Sequence, residues 1–244
     1  MAGWWQKLMG RAPDRADWDS DQRMQFEAWH ALPTAPSTRS LAEQRWVVVD
    51  VESSGLDLRN DRLIAIGAVA VRGNAVELSD SFEVVLRQEA VSSDENILIH
   101  GIAAAEQRSG VSPRQALLDF LSFIGGDPLI AYHAFFDEGM LRRACAAYLG
   151  IDLQRDWLDL AHLCPAVLKP GPLERQTGKN LDDWLADFDI RVSERHRAVA
   201  DAVATAQLWL ALMPALDQAG VRRCDEVRRL AAEYAWLRQR EPRS

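Results

Sequence analysis

The sequence predicts an α/β fold built on a mixed sheet of about five strands flanked by helices, with a helical appendage at the N-terminus. Two observations carry this. Three short apolar runs joined by tight turns come early and read as an antiparallel meander, and after Gln88 short apolar runs alternate with segments of helical periodicity. The chain has 244 residues, 48% of them apolar. That suffices for one well-packed domain plus an addition, since domains usually run to about 100–200 residues.

Residues 1–45 hold Trp4, Trp5, Trp18 and Trp29, carry six acids against six bases, and read as partly helical. Leu32-Pro33-Thr34-Ala35-Pro36-Ser37-Thr38 is a linker by composition. Trp46–Val51 is a β-branched run bounded by Ser53-Ser54-Gly55, and so a buried strand. Leu63–Val71 is a second strand, Gly73-Asn74 a turn, and Ala75–Arg87 a third strand. Ser112-Pro113 is a helix start followed by the periodic run Gln115–Ile124. Pro128–Tyr132 reads as a strand, Glu138–Leu149 as a helix stopped by Gly150, and Trp157–Leu163 as the fifth strand. Asn180–Phe188, Ala198–Leu212 and Val221–Arg240 read as helices. The expected division is an appendage and linker over 1–45, a main domain over 46–213 and a helical extension over 214–244.

The formal net charge is −8, which argues against a protein that coats nucleic acid through a basic surface. Residues 46–137 alone carry 14 acids against 6 bases, whereas residues 222–244 have seven Arg against four acids. A local acidic excess is either a solvated surface or a carboxylate cluster that takes cations. Cys145, Cys164 and Cys224 are far apart, without a Cys-x-x-Cys pair, as in a reducing compartment. The N-terminus has no secretory pattern. No apolar run approaches the ~20 residues of a membrane helix, and the longest, Leu208–Ala215, is interrupted by Pro214. The expectation is a cytoplasmic protein with no membrane partner. Neither a glycine-rich nucleotide loop nor a four-ligand zinc pattern is present, and His162-Leu163-Cys164 does not supply one.

Three short segments carry chemistry. Asp50 and Glu52 end an apolar strand, and the period of two points both carboxylates to one face. Two adjacent acids repel unless a cation lies between them, and hard oxygen ligands suit Mg²⁺ or Mn²⁺. Alone, an Asp-x-Glu equally marks a strand ending in a polar turn. Asp137 follows Tyr132-His133-Ala134-Phe135-Phe136 near a helix start, where an Asp by itself reads first as an N-cap. Asp201 lies on a helix, with His196 at or just before its start, five positions away.

In order and spacing, Asp50-Val51-Glu52-Ser53-Ser54-Gly55-Leu56, Tyr132–Asp137 and His196–Asp201 resemble the three motifs of the DEDDh 3′→5′ exonucleases, a superfamily with a ribonuclease H-like fold that includes the proofreading subunit of bacterial replicative polymerase. His100-Gly101-Ile102 adds a match to the family's segment between the first two motifs, and the resemblance covers about residues 46–213. It implies that Asp50, Glu52, Asp137 and Asp201 hold two divalent cations, Mg²⁺ or Mn²⁺, and that His196 is the general base. Asp50 would bridge both ions, Glu52 and Asp201 would complete the ion that activates water, and Asp137 would hold the second. The implied reaction trims single-stranded 3′ ends, DNA first, to nucleoside 5′-monophosphates. Leu56 would wedge against the terminal base with His100 and Ile102 nearby, and Ser53, Gly55 and His133 would complete the substrate contacts. Two departures stand out. Ser53-Ser54 replaces the usual Thr-Thr and keeps a hydroxyl, whereas Tyr132-His133 replaces His-Asn and loses the amide. The motifs do not separate DNA from RNA trimming or from digestion of short oligonucleotides. A catalytically dead nucleic-acid-binding module would lack one of the five residues, and all five are present. The Trp-rich appendage is a candidate docking segment for a protein partner.

Overall fold

A computed structural model of the chain describes residues 15–168, 179–192 and 197–240. Its helices are α1 (Ser20–His30), α2 (Asp94–His100), α3 (Ala104–Ser109), α4 (Pro113–Ile124), α5 (Ala134–Leu149), α6 (Leu160–Val167), α7 (Leu181–Asp187), α8 (Ala198–Gln218) and α9 (Cys224–Arg240). The strands are β1 (Arg45–Ser53), β2 (Leu63–Arg72), β3 (Ala75–Val85), β4 (Leu129–Ala131) and β5 (Trp157–Asp159). They form one sheet in the order β3-β2-β1-β4-β5, antiparallel across β3-β2-β1 and parallel across β1-β4-β5. This is the mixed five-stranded sheet flanked by helices that the sequence predicts.

The alternation of β1 sorts the core into two layers. Val47, Val49 and Val51 pack with Leu117, Phe120 and Leu121 of α4 and with Met140 and Leu141 of α5. Trp46 and Val48 face the other way, toward Leu163 of α6, Trp184 of α7 and Leu208 and Trp209 of α8. The Trp46 and Trp209 rings meet at 5.3 Å. Period two then places Asp50 and Glu52 on the α8 side, at the end of the strand.

The appendage helix α1 is capped by Asp19, whose carboxylate accepts the Gln22 N–H at 2.8 Å. Phe26, Trp29 and the preceding Trp18 are buried in the layer that contains α4, and the Trp29 indole donates to the Gly125 carbonyl at 3.1 Å. The linker returns alongside, with the Ala35 N–H on the Gly126 carbonyl at 2.8 Å. Trp4 and Trp5 lie outside the described residues.

Several boundaries differ from the sequence-based expectation. The fifth strand is only Trp157–Asp159. From Leu160 the chain is helical, because the Asp159 carboxylate caps the turn by accepting the Ala161 N–H at 2.9 Å. A short apolar run does not distinguish strand from helix by itself. Helix α5 begins at Ala134 rather than Glu138, so Asp137 lies inside its first turn. Helices α2 and α3 were not anticipated. Helix α8 continues through Pro214 to Gln218. Taken whole, it is long and apolar enough to cross a membrane by length and composition, contrary to the expectation from consecutive apolar residues. It packs instead on β1, β2 and β3.

Candidate active site

The C-terminal end of β1 meets the first turn of α8. Opposite Asp50 in the β1–β2 ladder stands Gly67. A Cβ on Gly67 would lie 2.1 Å from both the Ala198 carbonyl carbon and the Val199 nitrogen. The missing side chain is therefore what lets α8 start against the sheet. Asp201, in the first turn of α8 and 7% exposed, thereby reaches the β1 carboxylates. Ligand oxygens of Asp50, Glu52 and Asp201 all lie within 4.8 Å of one another.

Asp137 approaches from the other layer. Its carboxylate accepts the Val51 N–H at 3.1 Å, between the two β1 acids in sequence. It is 5% exposed. Burial holds its pKa well above the usual carboxylate range, and the charges of Asp159 and Glu52 push the same way, against the lowering effect of backbone N–H groups including that of Val51. It lies outside the mutual set of three but is electrostatically joined to it through Glu52. Four hard oxygen donors in a partly buried site fit divalent cations such as Mg²⁺ or Mn²⁺. Asp50, Glu52 and Asp201 form a group that could hold one such ion.

The start of α5 carries a contribution that the sequence reading missed. His133 is the N-cap of α5 in the left-handed region, φ 64° and ψ 48°, which is uncommon for a residue with a side chain. Its N–H donates to Asp159 Oδ1 at 3.0 Å. The same oxygen caps α6, and Asp159 Oδ2 pairs with His162 Nδ1 at 3.2 Å. Asp159 thus ties the first turn of α5, and with it Asp137, to the end of the sheet. The Tyr132 hydroxyl donates to the Lys179 carbonyl at 2.7 Å, and its ring meets the His133 ring edge-on.

On the far side of β1 the chain makes a tight loop. Ser53 Oγ donates to the Gly55 carbonyl at 2.6 Å, and Ser54 Oγ donates to Asp61 Oδ1 at 2.9 Å. A Cβ on Gly55 would lie 2.5 Å from Asp61 Oδ2. Leu56 projects from this loop and is 87% exposed. Asn96 of α2 donates to the Ser54 carbonyl. His100 is only 1% exposed. Its Nδ1 accepts the Ile102 N–H at 3.1 Å, which leaves the proton on Nε2, 3.4 Å from Ser92 Oγ. Burial lowers the His100 pKa below its ordinary value. Ile102 packs with Ile64, Ala65 and Ala198, under the start of α8. His196 lies outside the described residues. Arg197, next to it, occupies the N-cap position of α8 without a side-chain capping bond and pairs with Glu83 at 3.3 Å.

Residues 47–209 match the RNase_T exonuclease family. Among curated proteins, the chain is 30% identical over 193 residues to the PolC-type DNA polymerase III of Bacillus subtilis (strain 168), covering 78% of this chain and 13% of the polymerase. It is 27% identical over 211 residues to that of Thermotoga maritima, covering 84% and 15%. The chain therefore spans only about 15% of such relatives' length. Among solved structures, E. coli exonuclease I in complex with a dT13 oligonucleotide aligns with a TM-score of 0.60 at 18% identity, over 72% of this chain and 42% of that one. Exonuclease X in complex with 5′ overhanging duplex DNA aligns at 0.58 and 16%, over 76% and 99%. The ribonuclease H-like architecture expected from the motifs is the one these neighbours share. With its family match spanning all three carboxylate motifs, the chain belongs to the exonuclease family, within the DEDDh superfamily.

Proposed function

We propose that the chain is a 3′→5′ exonuclease domain that hydrolyses phosphodiester bonds at single-stranded 3′ ends, DNA in the first place, and releases nucleoside 5′-monophosphates. The observation that carries this reading is the convergence of Asp50, Glu52 and Asp201 within 4.8 Å, with the buried Asp137 anchored to the backbone between Asp50 and Glu52. The exonuclease I and exonuclease X neighbours, both described as DNA complexes, support DNA as the substrate.

Asp50, Glu52, Asp137 and Asp201 would hold two divalent cations, Mg²⁺ or Mn²⁺. When bound, such ions supply Lewis-acid stabilisation of phosphoryl oxygens and lower the pKa of water. The chain's own contribution is to fix four carboxylates on two rigid helices and a strand, so that little reorganisation is needed during reaction. His196, five positions before Asp201, takes the proton of the attacking water on an imidazole nitrogen, whose ordinary pKa near 6.5 suits neutral pH. Leu56 meets the terminal base by apolar contact, which tolerates any sequence. Ser53 and Gly55 shape the turn that presents it, and His133 borders the cleft at the start of α5. Ile102 backs the site from inside through Ala198, and His100 fixes the Ile102 backbone by accepting its N–H. Docking of a partner by the appendage is a separate proposal. Of its tryptophans, Trp18 and Trp29 are committed to the core.

The direct test is incubation of 5′-labelled single-stranded DNA and RNA of matched sequence with Mg²⁺ or Mn²⁺. A ladder shortened from the 3′ end, abolished by EDTA and restored by added metal, is expected, with DNA the faster substrate. Undiminished hydrolysis in exhaustive chelator, or products cut internally, would overturn the reading.

A further inference from the structure

One carboxylate joins the starts of two helices beside the site. Asp159 Oδ1 accepts the His133 N–H at the N-cap of α5 and the Ala161 N–H in the first turn of α6, at 3.0 and 2.9 Å. An N-cap oxygen ordinarily serves its own helix. This one also holds His133, whose left-handed backbone persists only where its surroundings fix it. Asp137 lies in the turn that His133 opens. After burial, the charge of Asp159 is the next effect that holds the Asp137 carboxyl above its usual range, so the two acids are close.

The Asp159 carboxylate does not fix its own rotation, because the terminal torsion of Asp is broad and twofold. Its other oxygen, Oδ2, meets His162 Nδ1 at 3.2 Å. His162 is on the first turn of α6, three positions after Asp159, and its side chain is 42% exposed against 15% for Asp159. A carboxylate only accepts, so Nδ1 carries a proton whether the ring is neutral or charged. The bond to Asp159 raises the His162 pKa above its ordinary value, against the lowering effect of burial. A ring so exposed adds little to the core. What it adds is a donor aimed at Asp159.

We propose that His162 is a positioning residue for Asp137: its Nδ1–H turns the Asp159 carboxylate so that Oδ1 meets the His133 N–H, and this sets the first turn of α5 where Asp137 reaches the Val51 N–H. The inference rests on the exonuclease reading above and adds to it a residue that acts through others. The contacts run from His162 to Asp159, from Asp159 to the His133 backbone, and along one helical turn to Asp137, 3.1 Å from the Val51 nitrogen. Groups that orient a metal ligand in this way typically contribute about 10–100-fold in metal affinity or activity. A helix cap with no such role would stabilise α6 and leave metal binding unchanged.

The test uses the full chain and two substitutions that separate the ring from its donor. His162→Phe keeps an aromatic ring and removes the donor. His162→Asn removes the ring and keeps an N–H donor near the place of Nδ1. Mn²⁺ is titrated into the DNA-free protein, with free ion read from its electron paramagnetic resonance signal, and the rate on a single-stranded oligonucleotide is followed in parallel. His162→Phe should weaken Mn²⁺ binding about 10–100-fold and raise to match the Mn²⁺ concentration for half-maximal rate. KM for the oligonucleotide at saturating Mn²⁺ should not change. His162→Asn should restore Mn²⁺ binding to within about threefold of the wild type, by the same outer-shell argument. Circular dichroism shows that each variant is folded at the assay temperature, and His162→Ala replaces His162→Phe if that chain is not. If the wild type trims DNA while the variant without a donor binds Mn²⁺ as tightly, or while His162→Asn loses as much as His162→Phe, this inference is wrong and the exonuclease reading stands. A wild type that neither binds Mn²⁺ nor trims DNA brings both down.

Discussion

At the scale of single residues, the site is an unfavourable arrangement that a bound cation would make favourable. Like charges within 4.8 Å and a buried acid oppose one another, so in the absence of metal these groups work against folding. Asp50→Ala should therefore raise the melting temperature of the metal-free protein, or leave it unchanged, while abolishing both turnover and the upward shift that Mg²⁺ or Mn²⁺ gives the wild type. Thermal melts with and without metal check this, and a variant still stabilised by metal to the wild-type extent would remove Asp50 from the ligand set. His196→Ala should behave differently. It keeps the metal-induced shift, loses roughly 10²–10⁴-fold in rate, and loses the acidic limb of the pH–rate profile. His100 gives a third outcome. Its pKa is lowered in the folded chain, so just below pH 6.5, its ordinary value, the unfolded chain binds more protons than the folded one. The stability this group confers is complete above about pH 6.5 and is lost as pH falls toward the lower folded value. The urea midpoint of the wild type relative to His100→Gln should fall between pH 7.5 and 5.5, and parallel curves would show that the imidazole does not titrate as its burial requires. Asp50 and Glu52 were legible as a pair because the strand period points both to one face, whereas Asp201 was reached only through the family resemblance, since helical spacing by itself did not tie it to them. Asp159 was not legible, since reading Trp157–Leu163 as a strand conceals the helix cap that gives it a role.

At the scale of elements, the site depends on two approaches that no local pattern announces. A glycine in an apolar strand reads as a weak point or a bulge. Only the fold shows that Gly67 is where α8 crosses. The atoms that a Cβ would strike, Ala198 C and Val199 N at 2.1 Å, are backbone and cannot rotate away. Gly67→Ala should push the start of α8 outward and carry Asp201 with it. Overpacking of this kind costs about 1–3 kcal/mol, and a displacement near 1 Å at a catalytic group can cost about 10²-fold in rate. Measured kcat at saturating Mn²⁺, alongside the melting temperature, should show both losses. If both values match the wild type, the close approach of α8 is refuted. The start of α5 is the second approach. Asp137 has the local signature of an N-cap, but the cap is His133 in a left-handed conformation held by Asp159, a tertiary contact spanning 26 positions. Helices α2 and α3 escaped notice for a simpler reason. They span 7 and 6 residues, too short for a hydrophobic period to emerge.

At the scale of the whole molecule, the appendage and the family domain share one core. The family match begins at residue 47, yet Trp18, Phe26 and Trp29 are buried with the same α4 residues that pack on β1. Arg155 and Arg114 lie over the Trp29 and Trp18 rings, and Gln25 bonds to Asp119 at 2.9 Å. None of these groups belongs to the carboxylate site, which lies at the C-terminal ends of the parallel strands, whereas the Gly125–Gly126 turn held by Trp29 and Ala35 lies before the start of β4. Stability and catalysis should therefore separate. Burying a large apolar side chain contributes about 1.5–3 kcal/mol, so removal of residues 1–32 should cost several such increments. At about 2–4 °C per kcal/mol for a domain of this size, the melting temperature should fall by roughly 10 °C or more, and dye binding to the uncovered α4 face should rise. At a temperature where circular dichroism shows the truncated chain still folded, its rate on short oligonucleotides should stay within about threefold of the full chain, because additivity holds for distant groups with no shared partners. A truncated chain that melts with the full one would detach α1 from the core. One that is folded but inert would instead make the appendage part of the catalytic unit and place its boundary with the exonuclease domain in the wrong position.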